Sequence, residues 1–374
     1  MAQPAPRSIV LSAGELSGDM HAAHLVAALR DALPGFAVTG MAGDRSRDAG
    51  MAVRFHHRDY AVIGFTGVLA SLPRFWRLER DIRRLIDRAE LFIPVDYPGL
   101  NLRLCAYARA RGVPVLYYIS PQIWAWGAGR MDKIRAHVDR MAVVLPFEAE
   151  LYRQAGVAAE FVGHPFVVDH ELPAPAATEV RRHVALLPGS RASEVHHMLP
   201  LMIAAAKVLA ARAPGVSFRV ARSPVVDAAL YERIIGQPGI DVTTDADAVA
   251  VLSGARAALV ASGTATLQAA LLETPLVIVY RTTPLNFALA RRLVKIPHVG
   301  LVNVLLGEKV APEFVQADAQ PAALATALHA LLSDDAVRAG MLERFRSLRA
   351  QLGGCRGTVR VAEIARELVT GKQP

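Results

Sequence analysis

Short apolar runs alternate along the chain with amphipathic segments, and this alternation is the main structural signal in the sequence. The runs are rich in Val, Ile, Leu and Ala, which is typical of buried strands, and they lie at 9–12, 91–95, 113–119, 141–145, 184–187, 217–221, 257–260 and 276–280. The segments between many of them carry apolar residues at helical spacing. Repeated strand–helix units with apolar strands predict parallel sheets covered by helices on both faces.

A stretch containing Pro and Ala, from Asp169 to Arg182, divides this pattern into two halves. Its composition is that of an interdomain linker. We therefore predict an α/β protein of two Rossmann-like parallel-sheet domains that face an interdomain cleft. The first domain is predicted at residues 1–170 and the second at 171–350, and the helical tail at 351–374 is expected to pack back on the first domain.

The second half opens with a strand, a tight loop and a helix, over residues 184–194 and a helical pattern from about Val195 to Arg212. A helix that starts in this way directs its first free N–H groups, and the positive end of its dipole, toward a phosphate. Arg191 in the loop adds a planar, permanently charged group that suits phosphate oxygens. The alternative is an ordinary capped loop, with Ser190 or Ser193 as the N-cap and Arg191 in solvent.

A second loop of this kind covers residues 261–268, with the sequence Ala-Ser-Gly-Thr-Ala-Thr-Leu-Gln. Its small residues let backbone N–H groups approach a phosphate, and a helix that begins near Thr266 directs its dipole there. Gln268, one turn later, could reach a ribose hydroxyl. The alternative is that small residues only allow close packing on the sheet, but two such loops in one domain favour a phosphate site.

The first half carries acidic loops where the second carries small and basic ones. Residues 13–19 lack the Gly-x-Gly-x-x-Gly spacing of a dinucleotide site. Glu15 and Asp19 would repel a diphosphate but suit sugar hydroxyls. The alternative is a capped loop in which Ser17 or Asp19 simply starts the next helix. Asp96 ends the apolar run 91–95, at the strand end where open α/β sheets bind ligands, and is a candidate base.

A helical segment at 69–88 mixes large apolar residues with six arginines. One interpretation is a core-facing stripe with solvated arginines. The other is a surface that lies on anionic lipid, because Leu69, Leu72, Phe75 and Trp76 form a dense apolar group beside the charges.

Composition narrows the classes of function. A net charge of +8 indicates an anionic partner, and aromatic residues at 6% make nucleic acid the weakest choice beside phospholipid or a phosphorylated substrate. The two cysteines, Cys105 and Cys355, exclude a disulfide framework or a thiolate metal site. Neither a metal nor another cofactor is expected, because no Asp-x-Asp or His cluster has metal-ligand spacing. No uncharged apolar run reaches the roughly 18 residues of a membrane span, so we expect a cytoplasmic protein.

Taken in order, the motifs resemble those of the lipid-A-disaccharide synthase family of glycosyltransferases over nearly the whole chain. The matching pieces are Gly14–Asp19, Asp96–Asn101, Ser120–Trp126, Val162–Pro165, Leu187–Arg191, Ser262–Leu267, Asn303–Gly307 and Pro312–Gln316.

The resemblance implies a GT-B fold whose C-terminal domain binds UDP-2,3-diacylglucosamine. The acceptor would be 2,3-diacylglucosamine 1-phosphate (lipid X), and the product a β-1,6-linked disaccharide 1-phosphate made at the cytoplasmic face of the inner membrane. A homodimer is compatible with this picture. The donor-binding residues implied are Gly189, Ser190, Arg191, Glu194, Ser262, Gly263, Thr264, Ala265, Thr266, Gln268 and Asn303.

The chain departs from the family pattern at four positions. Gln268 stands where the family often has Glu, which removes a charge-assisted hydrogen bond to ribose. Leu16 replaces the usual Ala, and Gly99 and Gly127 stand where some relatives have an acid and an Arg. No catalytic or acceptor role is carried over to Gly99 or Gly127.

Inverting transfer needs a base for the acceptor hydroxyl and positive charge for the departing diphosphate. We expect Asp96 as the base, with Glu15 or Asp19 as alternatives that could instead orient the acceptor, and Arg191 at the leaving group. The rival functions are another UDP-sugar transferase or epimerase of the same fold, and a non-catalytic protein that binds UDP-sugar or lipid.

Overall fold

The computed structural model describes residues 7–60, 65–124, 128–169, 171–177, 181–236, 239–283, 287 and 297–371, and the side chains of 65–72 and 128 lie outside this description. The chain divides into two compact units. Unit 1 comprises Met1–Asp169 and Leu352–Pro374, and unit 2 comprises His170–Gln351.

Unit 1 is built on a seven-stranded parallel sheet with the order β3-β2-β1-β4-β5-β6-β7. The strands are β1 (Arg7–Ala13), β2 (Phe36–Ala42), β3 (Ala52–His56), β4 (Leu91–Val95), β5 (Leu116–Tyr118), β6 (Arg140–Val143) and β7 (Ala159–Phe161). The helices are α1 (Leu16–Ala32), α2 (Asp44–Asp48), α3 (Phe65–Ile86), α4 (Pro98–Ala110), α5 (Met131–His137), α6 (Pro146–Gln154) and α7 (Pro165–Val168), with 3₁₀ turns at His57–Tyr60 and Ala128–Arg130.

Unit 2 has a six-stranded parallel sheet with the order β10-β9-β8-β11-β12-β13. The strands are β8 (His183–Leu187), β9 (Ser217–Ala221), β10 (Val242–Asp245), β11 (Ala255–Ala261), β12 (Leu276–Tyr280) and β13 (Glu313–Val315). The helices are α8 (Ala192–Arg212), α9 (Ala228–Ile235), α10 (Ala248–Ser253), α11 (Thr264–Leu271), α12 (Leu301–Leu306), α13 (Pro321–Ser333) and α14 (Asp335–Leu352), with a 3₁₀ turn at Gln316–Asp318; α15 (Gly357–Thr370) then returns to unit 1.

The predicted strands are found, with some ends displaced for identifiable reasons. All five residues of β4 and of β8 are buried, as expected for parallel strands covered on both faces. The predicted strand at 113–119 contracts to Leu116–Tyr118, because Pro114 has no N–H to donate and Ile119 has φ +60°. The motif at 303–307 is part of a short helix, and Glu313–Val315 is an edge strand.

α3 has one buried face and one exposed face. Leu78, Ile82 and Ile86 are buried in the core of unit 1, so the apolar stripe faces inward. Trp76 lies away from this stripe, with 68% of its surface exposed. The side chains of Leu69 and Leu72, which completed the predicted lipid-facing group, lie outside the described residues.

Among the described residues, α8 is the one helix whose length and apolar composition would suffice to cross a membrane. Half of its apolar window is buried inside the protein, and its neighbours include α13. These contacts are those of a core helix.

The C-terminal helix α15 packs on α1 and is fastened to the sheet of unit 1 by ionic groups. Arg360 binds Glu160 of β7 at 2.6 Å and Glu367 of its own helix at 2.8 Å. At the start of the helix, the carboxylate of Asp169 accepts hydrogen bonds from the backbone N–H and the hydroxyl of Thr358. The tail is therefore a structural part of unit 1.

Arg181 fastens the amino-terminal edge of the sheet in unit 2. Its guanidinium, with 6% of the residue exposed, donates to the backbone oxygens of Ala176, Ala255, Leu272 and Glu273 at 2.7–3.3 Å. One side chain therefore joins the segment before β8 to the starts of β11 and β12.

Replacing Arg181 with Met should lower the free energy of unfolding of unit 2 by about 3 kcal/mol, because several buried carbonyls lose a charged donor. Amide hydrogen exchange of β11 in rising urea measures this unit separately from unit 1. Arg256→Met, at an exposed position of the same strand, is the matched control and should change stability by less than about 0.5 kcal/mol. Equal exchange in the two variants would contradict the role of Arg181.

Candidate functional site

In each sheet the order of the strands reverses at one point, and the predicted loops follow the two strands that are neighbours there. In unit 1 the neighbouring strands are β1 and β4, which are followed by Gly14-Glu15 and by Asp96-Tyr97. In unit 2 they are β8 and β11, followed by the loops at 188–191 and 262–263. Ligands of open α/β sheets bind outside the carboxyl ends of strands at such switch points. The topology therefore supports one candidate site in each unit.

The backbone at the end of β4 is in a conformation that costs energy. Asp96 and Tyr97 have φ values of +46° and +50°, uncommon for residues other than glycine. The carbonyl of Asp96 is held by the side-chain amide of Asn101 and by the hydroxyl of Tyr117, each donating at 2.7 Å. Opposite them, a Cβ at Gly14 would come within 2.3 Å of the Tyr97 ring, so only glycine fits. These contacts over-determine the position of Asp96.

The Asp96 carboxyl group is suited to taking up a proton. Burial and, to a smaller extent, the charge of Glu15 raise its pKa to about 6, against the lowering effects of the Tyr97 N–H and of His21. A base with a pKa near the working pH is effective in proton transfer. Glu15 itself is exposed at the N-cap of α1 and makes no capping bond with its side chain.

Asp19 has a different environment from the other predicted acids. It is 1% exposed, and its carboxylate accepts hydrogen bonds from the N–H groups of Gly43, Arg45 and Ser46 and, at 2.6 Å, from the Ser46 hydroxyl. It therefore caps α2, a role for which its neighbours in the sequence give no signal. These contacts assign Asp19 a structural task and leave Glu15 as the alternative acid to Asp96.

The remaining predicted positions of unit 1 lie on the surface or beyond the description. Leu16, in the first turn of α1, is exposed. Gly99 is exposed too, and a Cβ there would meet nothing within 4 Å. Ala125, Trp126 and Gly127 lie outside the described residues.

In unit 2, the loop after β8 is held by an acid of its own helix. Arg191 is the N-cap of α8, and neither Ser190 nor Ser193 takes that position. The carboxylate of Glu194 accepts from the N–H of Ser190 at 2.8 Å and of Arg191 at 3.3 Å, and pairs with the Arg191 guanidinium at 3.1 Å. Arg191 keeps 70% of its side chain exposed. Gly189 has φ +119° and lies against Glu194, which leaves no space for a Cβ.

The loop after β11 is open and small. α11 begins at Thr264 after Gly263, which has φ +143°, and both residues are exposed. The first N–H groups of a helix, here those of Thr264 and Ala265, have no partner within the helix itself. Thr266 is buried, with its hydroxyl on the Gly263 carbonyl at 2.8 Å, and Gln268 is half-buried one turn later. Ser262 donates to the carbonyl of Val299.

Asn303 lies behind this loop with a fully used side chain. Its amide donates to the Ala311 carbonyl and to Glu313, and its oxygen accepts from the Ala311 N–H, all at 2.8–2.9 Å. Glu313 also accepts from the N–H groups of Val299 and Gly300. Asn303 therefore holds Glu313, which fixes the segment at Val299 and Gly300, and the Val299 carbonyl accepts the hydrogen bond from Ser262. Asn303 thus acts on the loop indirectly.

Two charged residues near these sites, Arg222 and Glu148, were missed by the sequence analysis. Arg222 directly follows β9, the neighbour of β8, and its Nε is buried without a hydrogen-bond partner among the described residues. The next residue, Ser223, donates to the Ser190 carbonyl at 2.9 Å and so joins the two loops. Glu148 is a buried acid shortly after β6 in unit 1. In each case, a charged residue close behind an apolar strand was the available signal.

No group of three His, Cys, Asp or Glu side chains that could bind a metal occurs in the described part of the chain.

Comparisons with known proteins agree over almost the whole length. A family model described as lipid-A-disaccharide synthetase matches residues 9–363. A lipid-A-disaccharide synthase of Trichlorobacter lovleyi is 42% identical over 383 residues, covering 99% of each chain. Another, of Anaeromyxobacter dehalogenans, is 41% identical over 369 residues, covering 95% of this chain and 96% of the relative.

A solved structure, the glycosyltransferase of kitacinnamycin, has a TM-score of 0.64 at 18% identity and covers 98% of this chain and 100% of its own. This likeness confirms the predicted GT-B fold of two parallel-sheet units. With the match of the family model and the identity to two synthases over nearly their full length, the chain belongs to the lipid-A-disaccharide synthase family.

Proposed function

We propose that the chain transfers 2,3-diacylglucosamine from its UDP donor to lipid X, and that unit 2 binds the donor while unit 1 supplies the base. The products are the β-1,6-linked disaccharide 1-phosphate and UDP. Family membership over residues 9–363 is the observation that carries the activity. The chemistry of the two switch points supports the division of roles.

The base in this proposal is Asp96. The acceptor hydroxyl attacks the anomeric carbon, a new C–O bond forms as the bond from that carbon to the diphosphate breaks, and the hydroxyl proton passes to the Asp96 carboxylate. Its raised pKa makes Asp96 a stronger base than an ordinary aspartate. Glu15, exposed at the start of α1, orients the acceptor sugar by accepting from a second hydroxyl.

Unit 2 stabilises the negative charge that develops on UDP. The exposed guanidinium of Arg191 and the first N–H groups of α11 direct positive charge toward the same switch point. The exposed Gly263 lets the diphosphate approach the backbone closely. Gln268, one turn into α11, hydrogen-bonds the ribose, and Arg222 adds a second cation beside the loop after β8.

The exposed part of α3 is proposed to lie on the anionic cytoplasmic face of the inner membrane, as a peripheral contact of a cytoplasmic protein. Both substrates carry acyl chains, so they are presented at a lipid surface. Trp76 is exposed, and Arg74, Arg77, Arg80 and Arg84 are exposed on the same helix. Aromatic side chains beside basic ones suit the boundary of anionic lipid.

The overall reaction is tested by incubating the purified protein with both lipids and detecting the disaccharide 1-phosphate by mass spectrometry. Arg191→Ala should lower kcat by about 100- to 1000-fold, because it removes charge from the leaving group. Its exposure predicts a change in stability of less than about 0.5 kcal/mol. Arg233→Ala, at an exposed position on α9, is the control and should keep full turnover. Near-normal turnover of Arg191→Ala would remove this residue from the mechanism.

The role of Asp96 predicts a pH dependence of kcat/KM. The base must be ionised, so activity should fall about tenfold per pH unit below pH 6 and level off above it, at the pKa of about 6. Asp96→Asn should lose most activity, and the remaining activity should no longer fall below pH 6. Asp19→Asn should mainly lower the stability of the protein. Full activity of Asp96→Asn across the pH range would transfer the role of base to Glu15.

The lipid contact is measured by sedimentation with vesicles that contain anionic phospholipid. Trp76→Ser should reduce binding severalfold, because the indole leaves the lipid boundary, while activity on detergent-dispersed substrates stays within about twofold. Val337→Ser, an exposed apolar residue of α14 in unit 2, is the control. Unchanged vesicle binding of Trp76→Ser would contradict the proposed surface.

A further inference from the structure

Glu148 is a buried acid that the proposed mechanism does not use. It lies in the first turn of α6, after β6, with 1% of its surface exposed. One carboxyl oxygen, Oε1, accepts a hydrogen bond of 2.9 Å from the indole N–H of Trp124. The other oxygen is buried and has no hydrogen-bond partner among the described residues. Burial of an incompletely hydrogen-bonded carboxyl group costs free energy, so a role of Glu148 is needed to explain its position.

The partner of Glu148 belongs to the loop that follows β5. This loop leaves its strand through Ile119, whose φ of +60° is unfavourable for a β-branched residue. α6 then holds the loop at three points. The Tyr152 hydroxyl donates to the Pro121 carbonyl at 3.1 Å. The rings of Phe147 and Trp124 pack edge-on with their centroids 5.2 Å apart, and Glu148 accepts the hydrogen bond from the indole N–H.

The loop lies beside the proposed base. β4, β5 and β6 are neighbours in the sheet, so Asp96, the loop at 120–124 and the start of α6 follow three adjacent parallel strands at the same edge. The charge of Asp96 contributes to a higher pKa of Glu148, which is consistent with this proximity. Trp124 is therefore held at the same edge of the sheet as Asp96.

We propose that Glu148 is a positioning residue: through its hydrogen bond to the indole N–H it fixes Trp124 as a wall of the acceptor site beside Asp96. This inference rests on the proposed function and extends it to a residue that need not touch either substrate. The hydrogen bond selects one orientation of the indole, which ring packing on Phe147 alone would not do.

The ionisation of Glu148 gives this arrangement an observable signature. Burial and, to a smaller extent, the charge of Asp96 raise its pKa to about 7, against the lowering effects of Trp124, Ser120 and the Leu145 backbone. The titratable groups that face it are Asp96 and Tyr152. The charge of Glu148 therefore changes next to the indole at a pH near neutrality.

The experiment uses the full chain with Trp76→Phe and Trp126→Phe, so that Trp124 is the remaining one of the three tryptophans. Its fluorescence in this parent should change with pH around a midpoint of about 7. Glu148→Gln keeps an oxygen that accepts from the indole but cannot ionise, so the spectrum should match that of the parent at low pH and the transition should vanish. Glu150→Gln, exposed on the same helix, is the control and should keep the transition.

Kinetics test the consequence for the acceptor. Glu148→Leu removes the hydrogen bond and should raise KM for lipid X by about tenfold or more, with kcat and KM for the donor changed by less than about threefold. Glu148→Gln should restore the KM of the parent. If Glu148→Leu does not fold, the fluorescence of Glu148→Gln still decides whether this carboxyl group is in contact with Trp124.

A pH transition that persists in Glu148→Gln, or an acceptor KM that stays unchanged in a folded Glu148→Leu, would overturn the proposal. The fluorescence result does not depend on the proposed function, because it is measured without substrates, whereas the KM result requires the proposed activity. A parent that makes no disaccharide would instead refute the function while leaving the contact between Glu148 and Trp124 testable.

Discussion

The reversal of strand order within each parallel sheet is the constraint on which the rest of this structure depends. At β1 and β4, and again at β8 and β11, adjacent strands end side by side while their chains continue to opposite sides of the sheet. The backbone N–H groups, carboxylates and cations that follow these strands are thereby brought to two short edges. The acidic edge belongs to unit 1 and the basic, small-residue edge to unit 2, so the chemical division follows from topology.

Unit 1 uses local strain to hold its acid. Asp96 stands in an unfavourable backbone conformation because Asn101 and Tyr117 bind its carbonyl and Tyr97 leaves space only for a glycine at position 14. The same packing removes water from the carboxyl group and raises its pKa. The fixed position of Asp96 and its raised pKa therefore have one physical origin, since a carboxylate free to rotate into solvent would lose both.

The sequence was sufficient for features that depend on local pattern. Strands such as β4 and β8 are apolar throughout, and the two loops of unit 2 are recognisable from their small residues and glycines. It was insufficient where a polar side chain finds partners far along the chain. Asp19 is used by residues 24 to 27 positions away, which no spacing rule indicates. Asn303 was found only by resemblance, and Glu148 was missed because a single acid on a helix usually lies in solvent.

Glu194 gives the loop at 188–191 an anion of its own. Its carboxylate accepts hydrogen bonds from the N–H groups of Ser190 and Arg191 and forms an ion pair with the Arg191 guanidinium. A diphosphate that uses the same groups must therefore replace one negative group by another, and only the difference between the two interactions contributes to affinity. If the loop holds the diphosphate as proposed, such internal competition weakens the binding of the donor and of UDP alike. Glu194 then becomes the partner of the loop again as UDP departs, which favours rapid release over tight retention.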